Sequence, residues 1–167
     1  MIHLSNLQIR HRLQIGLVGL MAIALLWLTM TLSAAASKSL DITVYRDPNC
    51  SCCGGWIDHL TAQGFHPTTL ITADMDALKQ QQGVPADLAS CHTAVIDGYV
   101  IEGHVPAADI KRLIAEQPDI AGIAVPGMPI GTPGMESGTQ RDDFTVLSFD
   151  AQGNTAVYHP YSFPSDL

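Results

Sequence analysis

The sequence predicts an α/β fold: a mixed sheet with flanking helices and an added C-terminal β-hairpin. Three observations predict it. From Asp41 onward, segments alternating apolar and polar residues, the strand period, are interleaved with segments whose apolar residues recur at helical spacing. Turn-forming Gly, Pro, Asn and Asp gather between them. The order that results is β-α-β-α-β-β-α followed by a hairpin, which is a layered α/β arrangement.

The elements run as follows. "DITVYR", from Asp41 to Arg46, alternates and reads as a strand. "DPNCSCC" is a loop opened by the turn signal Asp47-Pro48. A helix is expected from about Gly54 to Gln63, with Trp56, Ile57 and Leu60 on its core face and Gly64 at its end. "FHPTTLI" is the next strand. "DMDALKQQQG" is a second helix with Asp74 as N-cap, Met75 as core filler and Gly83 as stop. "GVPADLASCH" is a connection, and "TAVI" and "YVIEG" form a hairpin about Asp97-Gly98. "PAADIKRLIAEQ" is a third helix with Pro106 near its first turn and Ile110, Leu113 and Ile114 inward. A loop rich in Gly and Pro spans Val125 to Gly138, with Pro-Gly-Met at both 126–128 and 133–135. "FTVLSFDAQGNTAVYHPY" supplies the last hairpin, around Gln152-Gly153-Asn154.

The 167 residues carry a formal net charge of -8, and 47% are hydrophobic, enough for one domain with its own core. Arg10 and Arg12 precede every acidic residue, so the chain from Ser37 keeps six bases against 16 acids. Such a surface repels nucleic acid phosphates and attracts cations, which excludes a nucleic-acid partner. Residues 1–36 read as a signal peptide: a basic start, the apolar run "LQIGLVGLMAIALLWLTMTL", then small residues with cleavage expected after Ala36. The run is long for a signal peptide and nearly spans a bilayer, so an uncleaved N-terminal membrane anchor is the alternative and the one membrane contact expected. Residues 37–167 are then an exported domain. His3, His11, Met21, Trp27 and Met30 fall in the leader and receive no chemical role.

Cysteine placement carries the functional signal. Cys50, Cys52 and Cys53 fall within four consecutive positions at the end of a strand and the entry to a helix. Exported cysteines commonly form disulfides, and Cys50 with Cys53 has CxxC spacing. Bridges this local close tiny loops and add little stability. A helix N-terminus stabilises a thiolate, which serves thiol exchange and soft-metal binding alike. The third cysteine would scramble a redox pair, whereas a soft-metal site gains from every thiolate. Zinc would need a second ligand pair, which is missing, and iron–sulfur clusters use wider spacing. Copper is favoured, with thiol exchange and a structural disulfide still open.

Thioether and imidazole donors extend the candidate set. Met128 and Met135 sit in the Gly/Pro loop, each either a Cu(I) ligand or apolar packing. His104, at the sheet end in "EGHVP", is a candidate ligand, and His92 adjoins Cys91 as a supporting or a surface residue. His59, His66 and His159 read as surface residues, and Trp56 reads as core.

The element order resembles the thioredoxin-like fold, in which the loop entering the third strand packs beside the first helix. That analogy brings Ser90-Cys91-His92 toward the other three cysteines. The motifs "CSCCGGW" (Cys50–Trp56), "SCHTA" (Ser90–Ala94), "EGHVP" (Glu102–Pro106) and "PGMPIGTPGME" (Pro126–Glu136) together resemble the CopG family of periplasmic copper-resistance proteins, over roughly Ile42 to Tyr158. The resemblance implies a thioredoxin-like fold, a periplasmic location and a multinuclear copper cluster held by Cys50, Cys52, Cys53 and Cys91. Met128, Met135 and His104 match further motif positions. It implies copper ions, as Cu(I), and other periplasmic copper-handling proteins as partners, with a role in copper sequestration or redox cycling. Whether the chain turns over as a copper oxidoreductase is left open by the resemblance. The rival readings are a thiol-disulfide oxidoreductase and a copper chaperone delivering to an efflux system.

Overall fold

The computed structural model describes residues 39–164. The leader expected at residues 1–36 lies outside them. In chain order the elements are β1 (Asp41–Arg46), α1 (Cys52–Ala62), β2 (His66–Ile71), α2 (Met75–Gln81), a 3-10 turn (Ala86–Leu88), β3 (His92–Ile96), β4 (Tyr99–Glu102), α3 (Ala107–Glu116), β5 (Gly122–Ala124), β6 (Phe144–Phe149) and β7 (Thr155–Tyr161). The seven strands form one mixed sheet in the order β2-β1-β3-β4-β5-β6-β7. β1 with β2 and β4 with β5 are parallel, and the other neighbours are antiparallel. This is the α/β class expected, with its C-terminal hairpin.

Side-chain alternation divides the core between the two faces of the sheet. On one face, Ile42, Val44, Ala94, Ile96 and Ile101 pack with Trp56 and Leu60 of α1 and Ile110, Leu113 and Ile114 of α3. On the other, Val100, Ala124 and Phe149 pack with Val84 and Leu88 around the 3-10 turn. Trp56 is fully buried, as expected of a core residue, and its indole Nε1 donates to the Val105 carbonyl at 2.9 Å. Asp74 caps α2 by accepting from the Ala77 amide, and Asp97 and Gly98 both take positive φ in the hairpin turn.

Three expectations need correction. β5, an interior strand between β4 and β6, is absent from the sequence-based element order. It has three fully buried residues, too few for a period to show, and it opens with a glycine. Glycine is required there, because a Cβ on Gly122 would lie 2.1 Å from the Val100 carbonyl oxygen. α1 starts at Cys52 rather than Gly54, so two cysteines belong to its first turn.

The third correction concerns the histidines. His66 is exposed, as expected. His59 is not a spare surface group: its Nε2 accepts from the Ala107 amide at 3.2 Å, capping α3, whose N-cap Pro106 offers no side-chain cap. His159 is also engaged, 2.7 Å from the buried Asp109 carboxylate, which takes Tyr161 OH at 2.7 Å as well. These contacts tie β7 to α3.

Burial holds His59 below the usual imidazole range, so the neutral form that accepts a hydrogen bond is favoured by folding. The unfolded chain therefore binds more protons just below the ordinary His pKa, and this stability is present above about pH 6.5 and lost as pH falls. His59→Ala is expected to cost about 1 kcal/mol at pH 7.5. Urea unfolding should show that cost shrinking toward pH 5; a cost independent of pH would contradict the cap.

Candidate metal centre

The site is built where the α1 N-terminus meets the segment entering β3. After β1, the turn at 47–50 is fixed by Cys50 N donating to the Asp47 carbonyl and Asn49 N to its carboxylate. Arg46 Nη1 donates to the Cys50 carbonyl at 2.9 Å. Cys52 and Cys53 follow in the first helical turn, where free backbone N–H groups favour negative charge.

On the opposite side, one buried carboxylate holds the β3 entry. Glu102 lies in phase with buried Val100 on β4 and is wholly enclosed. It accepts the Ser90 amide at 2.6 Å and Thr93 Oγ1 at 2.7 Å, and it pairs with the buried Lys79 ammonium of α2. Lys79 also donates to Thr93 Oγ1 at 2.9 Å. Sequence reading missed this network. The signal was a charged residue sharing a strand face with an apolar one.

The two sides converge on sulfur. Sγ of Cys52 lies 3.7 Å from that of Cys50 and 3.6 Å from that of Cys91, and all four cysteine sulfurs fall within 4.8 Å of one another. Cys53 is buried and the other three are half-buried. Cys50 and Cys53 form a disulfide, while Cys52 and Cys91 are free thiols. Two sulfurs expected as ligands are thus covalently joined, and four-thiolate coordination requires reduction of that bond.

Two histidines wall the site. His104 is fully buried, with Nε2 3.1 Å from Cys91 Sγ. Its Nδ1 is 2.7 Å from the Pro133 carbonyl, which can only accept, so Nδ1 carries the proton and Nε2 presents its lone pair. His92 is buried too, so it is not a surface residue. Its Nδ1 is 3.3 Å from Cys91 Sγ, and its ring packs 4.3 Å from Trp56 and 4.9 Å from His104. Burial first, then the neighbouring His104 and Lys79, push His92 down to about 3. Burial likewise lowers His104. Both rings are neutral at pH 7, the state in which imidazole binds metal.

The double Pro-Gly-Met loop folds against this centre. Ser90 Oγ donates to the Gly127 carbonyl at 2.6 Å, and His104 donates to that of Pro133. Gly134, at φ +83°, sits so close to α1 that a Cβ would lie 2.5 Å from the Trp56 amide nitrogen. That approach admits only glycine, which accounts for one Gly of the repeat. Met135 is half-buried beside it, whereas Met128 is 53% exposed.

The donor set fits a soft cation. Sulfurs 3.6 Å apart accept a common ion with metal–sulfur bonds of about 2.3 Å at an angle of roughly 100°. Thiolate, imidazole and thioether donors select Cu(I) over hard ions. Apart from these two cysteine- and histidine-based groups, no cluster of three or more such ligands occurs among the described residues.

A family described as "Protein of unknown function, DUF411" matches residues 88–135. Two solved structures, both described as "Copper resistance protein copG", Form 1 and Form 2, are each 51% identical to this chain. They cover 74% and 73% of it and 98% of their own length, with TM-scores of 0.71 and 0.70. No curated protein matches the chain.

Burial, then hydrogen bonding and proximity to Cys52, push the Cys91 thiol up to about 12. Cys91 therefore holds its proton at neutral pH and gives it up only on alkylation or metal binding. Iodoacetamide labelling of the metal-free protein should accelerate about tenfold per pH unit at Cys91 up to at least pH 10. A plateau in its rate near pH 8 would contradict this.

Proposed function

The chain belongs to the CopG copper-resistance protein family, and from that premise we propose that it is an exported protein holding copper in one shared, multinuclear site. The observation that carries the proposal is the gathering of all four cysteine sulfurs within 4.8 Å. Electrostatics favours several ions over one. Two unit charges 4.8 Å apart repel by about 3.5 kcal/mol at an effective dielectric constant near 20. Four thiolates at such separations are tolerable only if cations lie between them. One Cu(I) cancels a single charge, whereas several bridged by sulfur cancel most of them.

In this reading Cys50, Cys52, Cys53 and Cys91 supply the thiolates, and His104 Nε2 supplies a neutral donor from the buried side. Met135, and Met128 from the outer part of the loop, complete coordination without adding charge. Residues 1–36 direct export to the periplasm, with cleavage after Ala36 or retention as an anchor. The thioredoxin-like reading draws support from the parallel β1-α1-β2 unit beside the antiparallel β3–β4 pair. The role is sequestration or redox cycling of copper during resistance.

A thiol-disulfide oxidoreductase is favoured by one observation, the Cys50–Cys53 disulfide at a helix N-terminus. Anaerobic Cu(I) titration of the fully reduced protein separates the two. The copper reading predicts more than one equivalent bound, with each Cys→Ser variant losing stoichiometry as well as affinity. The double variant Met128→Leu/Met135→Leu should weaken binding while keeping the apolar volume. A protein that takes up no copper but reduces insulin disulfides would establish the second reading instead.

A further inference from the structure

The four sulfurs are not equivalent in this structure. Cys50 and Cys53 are joined, while Cys52 and Cys91 are free and 3.6 Å apart, with His104 Nε2 3.1 Å beyond Cys91. We propose that the disulfide form is itself a copper-binding state, in which Cys52, Cys91 and His104 seat a single Cu(I) ion. The Cys50–Cys53 pair then sets the capacity of the centre. This rests on reading the site as a copper site and adds a second, smaller one that survives oxidation.

The geometry separates the two pairs by what positions them. Cys50 ends the turn after β1 and Cys53 lies one helical turn on, with Cα atoms 5.6 Å apart, so their bond is local to one segment. Cys52 and Cys91 come from segments 39 residues apart. They are brought together by α1, whose first turn carries both Cys52 and Cys53, and by the Glu102 network, which includes neither Cys50 nor Cys53. Forming or breaking the disulfide leaves those anchors in place. His104 is fixed independently through Pro133, with its lone pair facing Cys91. Two thiolates and one neutral imidazole make a three-donor soft set of charge -2, which one Cu(I) brings to -1. The reduced form adds two bridging thiolates and can hold more ions.

Interconversion is ordinary thiol-disulfide exchange. The two thiols of Cys50 and Cys53 react with one disulfide R–S–S–R. They yield the Cys50–Cys53 bond and two R–SH, with both protons carried by the leaving thiols. Ions that had depended on those two sulfurs lose their bridges and leave, and the ion between Cys52 and Cys91 remains.

The test uses the full-length protein in both states. One portion is fully reduced. The other is oxidised with oxidised glutathione and freed of it, and peptide mapping checks that the linkage is Cys50–Cys53. Both are titrated anaerobically with Cu(I) against a Cu(I)-selective chelator, and free thiols are counted by alkylation before and after loading. The disulfide form should bind one equivalent, and its two labelled thiols, Cys52 and Cys91, should become protected. His104→Gln should abolish that single equivalent and weaken, without abolishing, copper binding by the reduced form, which keeps four thiolates. Copper bound by the reduced form but not by the disulfide form would overturn this inference and leave the copper reading standing. So would Cys52 and Cys91 labelling unchanged by copper, or a linkage mapped to Cys52–Cys91. Absence of binding in both forms would overturn the copper reading itself.

Discussion

The centre depends on one buried carboxylate. Glu102 has no exposed surface, and it gathers the Ser90 amide, the Thr93 hydroxyl and the Lys79 ammonium around it. Taking a carboxylate and an ammonium out of water costs several kcal/mol per ion, which attraction offsets only when the remaining hydrogen-bonding capacity is satisfied. Here it is met from α2 by Lys79, from the β3 entry by Ser90 and from β3 itself by Thr93. The consequence is positional. Ser90 is fixed from its amide by Glu102 and from its hydroxyl by the Gly127 carbonyl, so the adjacent Cys91 is held at the mouth of the α1 N-terminus.

From that constraint the rest of the site follows. With Cys91 placed, its sulfur meets Cys52 on one side and His104 on the other. The second sheet-end ring, His92, fills the space between Trp56 and His104, so the apolar core continues up to the sulfurs. Burial raises the Cys91 thiol and lowers both imidazoles, so without metal the centre is nearly uncharged on its buried side. In the proposed reading, thiolate charge develops as cations arrive to share it, and the chain's net charge of -8 favours their approach.

Much of this was legible in the sequence because local signals and tertiary structure agree. The cysteine spacing, the Asp74 cap, the Asp97-Gly98 turn and the apolar stripes of α1 and α3 each state a local preference that the fold keeps. What was hidden depends on contacts between distant segments. β5 is too short and too glycine-dependent to show a period. His59 looked like a surface residue because its partner, the Ala107 amide, is 48 residues away. Lys79 drew no attention in the sequence for the same reason, its partner Glu102 lying 23 residues away. The disulfide was visible as CxxC spacing, but spacing alone does not say which pair is oxidised. At the double Pro-Gly-Met loop, sequence drew attention to the methionines. The structure shows that one glycine is equally constrained, since Gly134 must touch the backbone of α1.

The claim that copper occupies one shared centre is tested most directly by X-ray absorption at the copper edge, on the reduced protein loaded with Cu(I). The account predicts a first shell dominated by sulfur and a resolved copper–copper vector, which bridged ions produce and separate sites do not. A first shell of nitrogen and oxygen, or sulfur ligation with no copper–copper vector at full loading, would contradict it.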